Sequence, residues 1–172
     1  MDKMLMLLFA VLLATCLSGC MAETYTADMY NFNMQVTSDE PVKFIGQFPP
    51  SSYPDFTAYL VQMWVGNDLF ETIIQDYGSN TSVSEDALKR ANQVSYPMEN
   101  PDKKSWNYTD IGDQKGLIAN VQVTASIPQF EAVYSPDAYH DQGSIIVTIT
   151  AYTDDEEKVK DVLRTLQIHR IT

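Results

Sequence analysis

Two runs of strict alternation set what this chain can become. In the first, Ala119, Val121, Val123, Ala125 and Ile127 alternate with Asn120, Gln122, Thr124 and Ser126, and Pro128 stops the run. In the second, within Ser144 to Tyr152, Ile145, Val147, Ile149 and Ala151 recur at every other position. A period of two places such residues on one face of a strand, whereas a helix would scatter them around its circumference. Each run therefore calls for a sheet with at least one covered face.

Shorter segments fill in the order. Phe32, Met34 and Val36 share a face between Asn31 and Thr37, which predicts a half-buried strand. Val42 to Phe48 reads as a second strand, ended by Pro49-Pro50, and Thr57 to Val65 as a strand buried on both faces. The period then changes. Leu69, Phe70, Ile73, Ile74 and Tyr77 fall on one helical stripe, with Asp68 as cap, Glu71 three residues on and Gly78 as stop, so the spacing predicts a helix there. A polar loop, Ser79 to Val83, follows. A second helix is expected from Glu85 to Val94, capped by Ser84, with a narrow apolar stripe of Ala87, Leu88, Ala91 and Val94. Trp106 and Tyr108 suggest a short strand in the irregular stretch 95–116, and Phe130, Ala132 and Tyr134 another strand further on. Thr153 and Glu156 form a capping box for a last helix whose inner face is Val159, Val162, Leu163 and Leu166. Strands precede, separate and follow the helices. The expected fold class is α+β: an antiparallel sheet flanked by helices, with a C-terminal strand-helix unit.

The charge balance narrows the partners. The net charge is −12 and the sequence pI is about 4.3. Such a surface lacks the basic footprint that nucleic-acid binding needs. The acidic residues are spread along the chain rather than blocked, which fits solubility and low self-association. The only cysteines are Cys16 and Cys20, and both lie in the N-terminal segment. The rest of the chain has no disulfide to form, and its length can bury a core without one.

That N-terminal segment reads MDKMLMLLFAVLLATCLSGC. Lys3 is its short positive region, and Met4 to Ala14 is an apolar run too short to cross a ~30 Å hydrocarbon core as a permanent helix. Leu17-Ser18-Gly19-Cys20 then resembles the lipobox of prokaryotic lipoproteins, an apolar residue and two small ones before the modified cysteine. The resemblance implies a signal peptide over residues 1–19 and a lipid on Cys20; the polar residues up to 30, without a clear period, read as a tether over 20–30, and the remaining length, 31–172, suits one domain. The resemblance implies an extracytoplasmic, membrane-anchored protein. Met21 after the cysteine would direct it to the outer membrane in a Gram-negative cell, and to the cell membrane otherwise.

From Tyr30 to Ile168 the order of elements also resembles PsbP/Mog1-like domains. The likeness rests on the Ser84-capped helix, the long alternating strands, and Ile145-Ile-Val-Thr-Ile-Thr-Ala151 leading into an acidic-capped helix. It implies a binding or assembly accessory module rather than an enzyme, and it carries over no site residue.

No constellation outside the anchor calls for chemistry. Asp154, Asp155, Glu156 and Glu157 complement the positive end of the last helix, an effect of about 0.3–1 kcal/mol per charge. Asp137, His140 and Asp141 share a loop, as do Asp110 and Asp113. Neither set has the spacing of a calcium loop, and turn-forming residue types account for both. His140 and His169 are the only histidines, and no nucleophile elbow is present. No metal site and no cofactor are expected. Tyr53, within the aromatic stretch Phe48 to Tyr59, together with Trp106 and Tyr108, are the candidate ligand contacts, because Tyr and Trp join a flat apolar face to a polar tip. Asn80-Thr81-Ser82 and Asn107-Tyr108-Thr109 fit the N-glycosylation acceptor pattern. The expected function is a lipid-anchored binding or assembly accessory protein without catalytic activity, meeting the membrane through its lipid and a partner in the envelope. Two alternatives stand beside it: an envelope hydrolase using paired carboxylates such as Asp110 and Asp137, and a purely structural lipoprotein.

Overall fold

A computed structural model describes residues 21–46, 48–95, 105–121 and 129–171. The expected signal segment, Cys20, the second half of the first alternating run and the loop around Pro97 and Pro101 lie outside the described residues.

Eleven strands and two helices follow one another: β1 (Glu23–Met29), β2 (Phe32–Ser38), β3 (Val42–Ile45), β4 (Ser51–Ser52), β5 (Thr57–Val65), β6 (Asp68–Ser82), α1 (Glu85–Ser95), β7 (Trp106–Ile111), β8 (Gln114–Val121), β9 (Gln129–Tyr134), β10 (Gln142–Tyr152), α2 (Glu156–Thr165) and β11 (Gln167–Arg170), counted among the described residues. The strands form a three-stranded sheet, in the order β1-β2-β11, and an eight-stranded sheet, β3-β5-β6-β10-β9-β8-β7, with β4 also on β5. All pairings are antiparallel.

The expected α+β class is overturned. Among the described residues strand makes up 60% and helix 16%, so the fold is β-rich rather than a sheet flanked by helices. The largest single reason is residues 68–77. The stripe read there as a helix is the first part of the fifteen-residue strand β6. Its apolar residues serve two faces. Phe70, Thr72 and Ile74 lie opposite Met63, Val61 and Tyr59 of β5 and opposite Ala151, Ile149 and Val147 of β10. Leu69 and Ile73 point the other way. Fully burying a side chain such as Phe70 or Ile74 contributes about 1.5–3 kcal/mol, against a few tenths per residue for local propensity. Two long neighbouring strands therefore outweigh a helical spacing. The turn between β5 and β6 helps: Gly66-Asn67 is a two-residue hairpin connection, and Gly66 takes φ 59, a value that costs a glycine little.

Other segments fit more closely. Phe32, Met34 and Val36 of β2 are buried, and so are Ile145, Val147, Ile149 and Ala151 of β10. Residues 23–29, expected within a tether, pair with β2 as β1. β5 was expected to be buried on both faces, but only Val61, Met63 and Val65 are, while Trp64 on the other face is 37% exposed. α1 extends one residue past its expected end. The last helix is capped by Asp155 rather than Thr153: the Asp155 carboxylate accepts the Lys158 N–H at 3.0 Å, and Thr153 Oγ1 accepts the Asp155 N–H at 3.2 Å. A carboxylate at that position meets both the free N–H groups and the positive end of the helix. The chain then continues into β11, which pairs with β2.

Two apolar clusters sandwich the large sheet. On one side the small sheet and α2 bring Phe32, Met34, Val36, Val162, Leu163 and Ile168 against β5, β6 and β10. On the other side α1 sets Leu88 and Ala91 against Leu117, Val133 and Ile146. No helix among the described residues is long and apolar enough to cross a membrane.

Candidate binding cleft

α1 crosses the second face of the large sheet from one edge toward the other. Near its start Glu85 accepts a hydrogen bond from the Tyr108 hydroxyl, on edge strand β7. Near its end the helix reaches β6, where the Gln75 amide donates to Ala91 O at 2.9 Å and Ser95 Oγ at 3.0 Å. Gln75 is buried: its two amide donations tie the helix end to the sheet, and its Oε1 accepts the hydroxyl of Tyr77 on the same strand at 2.9 Å. A buried amide left unmatched would cost about 1–3 kcal/mol, and these three bonds avoid that.

Beyond this end of α1 lies a cleft of about 360 Å³. Phe48, Tyr53 and Phe56 form its rim, and Leu60, Ile73 and Val94 its floor and far wall. Ser51, Gln75 and Ser95 are polar lining residues, and none of the described lining residues is charged. The rim is built by local bonding. The Tyr30 hydroxyl donates to Phe48 O and accepts the Phe48 N–H at 3.1 Å, which pins the backbone after β3 to the turn of the β1–β2 hairpin. The Tyr53 N–H donates to Phe56 O at 2.9 Å, closing a turn that stacks the two rings at 4.6 Å and 19°. Phe56 in turn meets the Tyr77 ring at 5.2 Å. Burial, and then the nearby Asp55 carboxylate, push the Tyr77 phenol above its ordinary value, so it stays a neutral donor.

The three candidate ligand contacts are not brought together. Tyr53 sits on the cleft rim, 48% exposed. Trp106 and Tyr108 lie on β7 at the opposite edge of the sheet: Trp106 packs against the cluster beneath α1, and Tyr108 is 72% exposed. The reading of residues 68–77 as a helix concealed Ile73 and Gln75, which a strand assignment would have placed on the cleft side with Leu60.

The carboxylates have other engagements. Asp110 pairs with Lys115 across the β7–β8 hairpin. Asp137 accepts from Ser144 N at 2.9 Å, Ser144 Oγ at 2.6 Å, Ser135 Oγ at 3.0 Å and Ile145 N at 3.2 Å. Burial raises the Asp137 pKa, but those donors outweigh it and hold the group below its usual value. It fastens the β9–β10 loop, where His140 and Asp141, at φ 49 and 58, make a tight turn between Tyr139 and Gln142. Neither Asp110 nor Asp137 lines the cleft. Among the described residues no group of three or more His, Cys, Asp or Glu is placed to hold a metal ion.

The described lining therefore offers an apolar group aromatic and aliphatic contacts and no charged side chain. No protein-family profile, no curated protein and no solved structure matches this chain.

Proposed function

We propose that this protein is a lipid-anchored extracytoplasmic binding protein, held at Cys20, whose cleft beside α1 takes an uncharged, largely apolar small molecule. The observation that carries this reading is the lining. Among the described residues an aromatic rim, an aliphatic floor and no charged side chain surround about 360 Å³, a volume within the ordinary range of small-molecule sites. In a chain of net charge −12 an uncharged cleft is a selective feature. A charged ligand would lose its hydration there and find no counter-ion among the described lining residues. Gln75 and Ser95 are already bonded to each other, so little polar capacity remains to recognise a ligand rich in hydrogen-bonding groups. The anchor reading adds the place of work, outside the cytoplasm at a membrane surface.

The test is a titration of the purified processed protein with the neutral dye N-phenyl-1-naphthylamine, followed by its fluorescence. Saturable binding is expected. It should weaken about tenfold, or ~1.4 kcal/mol, in Phe56→Ser, and should not change in Tyr108→Ser on the opposite edge. Absence of saturable binding, or equal loss in both variants, would refute the reading.

A further inference from the structure

We infer that the anchor fixes which end of the domain meets the membrane: the acidic end around Ala22 faces the headgroups, and the apolar cleft opens at the far end, toward the aqueous compartment. The inference rests on the proposed lipidation of Cys20 and adds the orientation that follows from it.

Only Met21 and Ala22 separate Cys20 from β1. Fully extended, that link lets Glu23 lie no more than about 11 Å from the lipidated residue, measured between Cα atoms. A lipid-anchored domain usually turns freely on a long tether. Here the tether is spent before the first strand begins, and the first strand is held in a sheet by its pairing with β2.

The two sheets then measure out the distance. Glu23 pairs with Ser38 at the anchored end, and Met29 pairs with Phe32 at the other, which at ~3.3 Å per residue is about 20 Å of strand. The large sheet runs along the same axis. At the anchored end the Gly66 N–H donates to Pro41 O at 2.9 Å, just after β2, and Lys158 Nζ joins Glu40 to Asp68, both at 2.6 Å. At the other end the Phe32 ring meets Tyr59 at 5.4 Å, and Tyr30 holds Phe48 on the cleft rim. The cleft and the anchor therefore lie at opposite ends of the strands.

The anchored end has its own chemistry. Ala22 borders a surface hollow shared with Asp39, Glu40, Asp155, Glu157 and Asp161, against which stand Lys158 and Arg164. The excess is negative, and it sits within about a Debye length, ~8–10 Å, of any headgroup plane that holds Cys20. Such an end suits a neutral or zwitterionic headgroup surface and would be pushed away from an anionic one. It gives the domain no basic patch with which to lie flat. A ligand consequently reaches the cleft from the aqueous side or from a structure facing the membrane, and not by sliding sideways out of the anchoring leaflet.

The test uses the full chain, processed in its native cell. Mass analysis first establishes the acyl group on Cys20. Because Cys16 precedes the expected cleavage and Cys20 is consumed by lipid, single cysteines for labelling can be introduced by Asp39→Cys at the anchored end and by Ser52→Cys or Ser79→Cys at the far end. Each variant carries a bimane fluorophore and is reconstituted into phosphatidylcholine vesicles containing a headgroup nitroxide lipid. Quenching is expected to be severalfold stronger at position 39 than at positions 52 and 79. Equal quenching at all three, or stronger quenching at 52 or 79, with the acyl mass present, would overturn the orientation while leaving the anchor intact. A chain with no acyl mass on Cys20 would overturn the anchor itself.

Discussion

Arg170 grips Asp76 with both arms of its guanidinium, Nη1 to Oδ2 at 2.6 Å and Nη2 to Oδ1 at 2.8 Å. The pair joins the last strand of the small sheet to the longest strand of the large one. The same guanidinium lies 5.6 Å from the centre of the Phe32 ring, so a single side chain closes the far end of the sandwich with a two-pronged ion pair and a cation–π contact.

Loss of that pair should be felt in stability and in its dependence on pH. The Arg170 guanidinium is the chief reason the Asp76 carboxyl is held below its usual pKa; burial opposes it, and the Gly78 N–H adds to the lowering. A carboxylate whose folded pKa is depressed stabilises the fold fully above the unfolded value, near pH 4. That contribution disappears as pH falls through the folded value. Arg170→Met should cost about 1–3 kcal/mol at pH 7, since it strands a mostly buried carboxylate. Arg170→Lys should recover only part of this, because an ammonium cannot reproduce the fork. Urea titrations at pH 7 and in steps below pH 5 would show the loss and a shallower acid dependence in Asp76→Asn.

Tyr134 makes the opposite prediction. Its ring is fully buried and its hydroxyl has no hydrogen-bond partner among the described residues, and burial pushes the phenol far above its ordinary pKa. Desolvating that hydroxyl gained the fold nothing. Tyr134→Phe should therefore be neutral, or stabilising by up to about 1 kcal/mol, in thermal or urea unfolding. A loss above 1 kcal/mol would mean that the hydroxyl has a partner.

Gly116 sits where β8 passes closest to its neighbours. A Cβ there would meet Ile111 Cδ1 at 2.6 Å, Tyr134 Cβ at 2.9 Å and Val133 O at 2.9 Å. Two of these belong to the backbone or lie next to it, so they have little room to yield. Gly116→Ala should destabilise the protein by about 1–3 kcal/mol, as overpacking of a filled core does. The midpoint of urea unfolding checks it.

Gln75 holds the end of α1 against the sheet. Gln75→Leu keeps the bulk but removes the amide donor shared by Ala91 O and Ser95 Oγ and the acceptor of the Tyr77 hydroxyl, leaving Ala91 O with the Ser95 hydroxyl. The expected cost is about 1–3 kcal/mol, concentrated in the last turn of the helix. Hydrogen exchange should show faster exchange over residues 91–95 with little change in β2 or α2. Dye binding should fall with it, since Val94 and Ser95 line the cleft.

The sequence showed some of this architecture plainly and hid the rest for identifiable reasons. β2 and β10 were readable because one face of each is a row of buried apolar residues, Phe32, Met34 and Val36 or Ile145, Val147, Ile149 and Ala151, which leaves a period of two even though β10 also buries Ile146, Thr148 and Thr150 on its other face. β6 was not, because Leu69, Phe70, Ile73, Ile74 and Tyr77 fit both a helical stripe and a strand with two apolar faces. The arbiter was the Gly66-Asn67 pair, a hairpin signal that turns the segment back along β5. β11 is too short to show a period, and only its pairing with β2 defines it. The cleft was half legible. Tyr53 belongs to a visibly aromatic stretch, but Ile73 and Gln75 sit on the misread segment, and Val94 belonged to a stripe expected to face the sheet. Trp106 and Tyr108 were grouped with Tyr53 by residue type, and type alone says nothing about which edge of a sheet a side chain occupies.

The proposed place of work and the proposed direction of the cleft both follow from the modification of Cys20. Intact mass spectrometry of the protein recovered from its native cell tests this most directly. The predicted result is a chain whose first residue is Cys20 and whose mass exceeds that of residues 20–172 by a thioether-linked diacylglycerol, with or without a third acyl group. A chain that still begins at Met1, or one that begins elsewhere with an unmodified thiol, would contradict it.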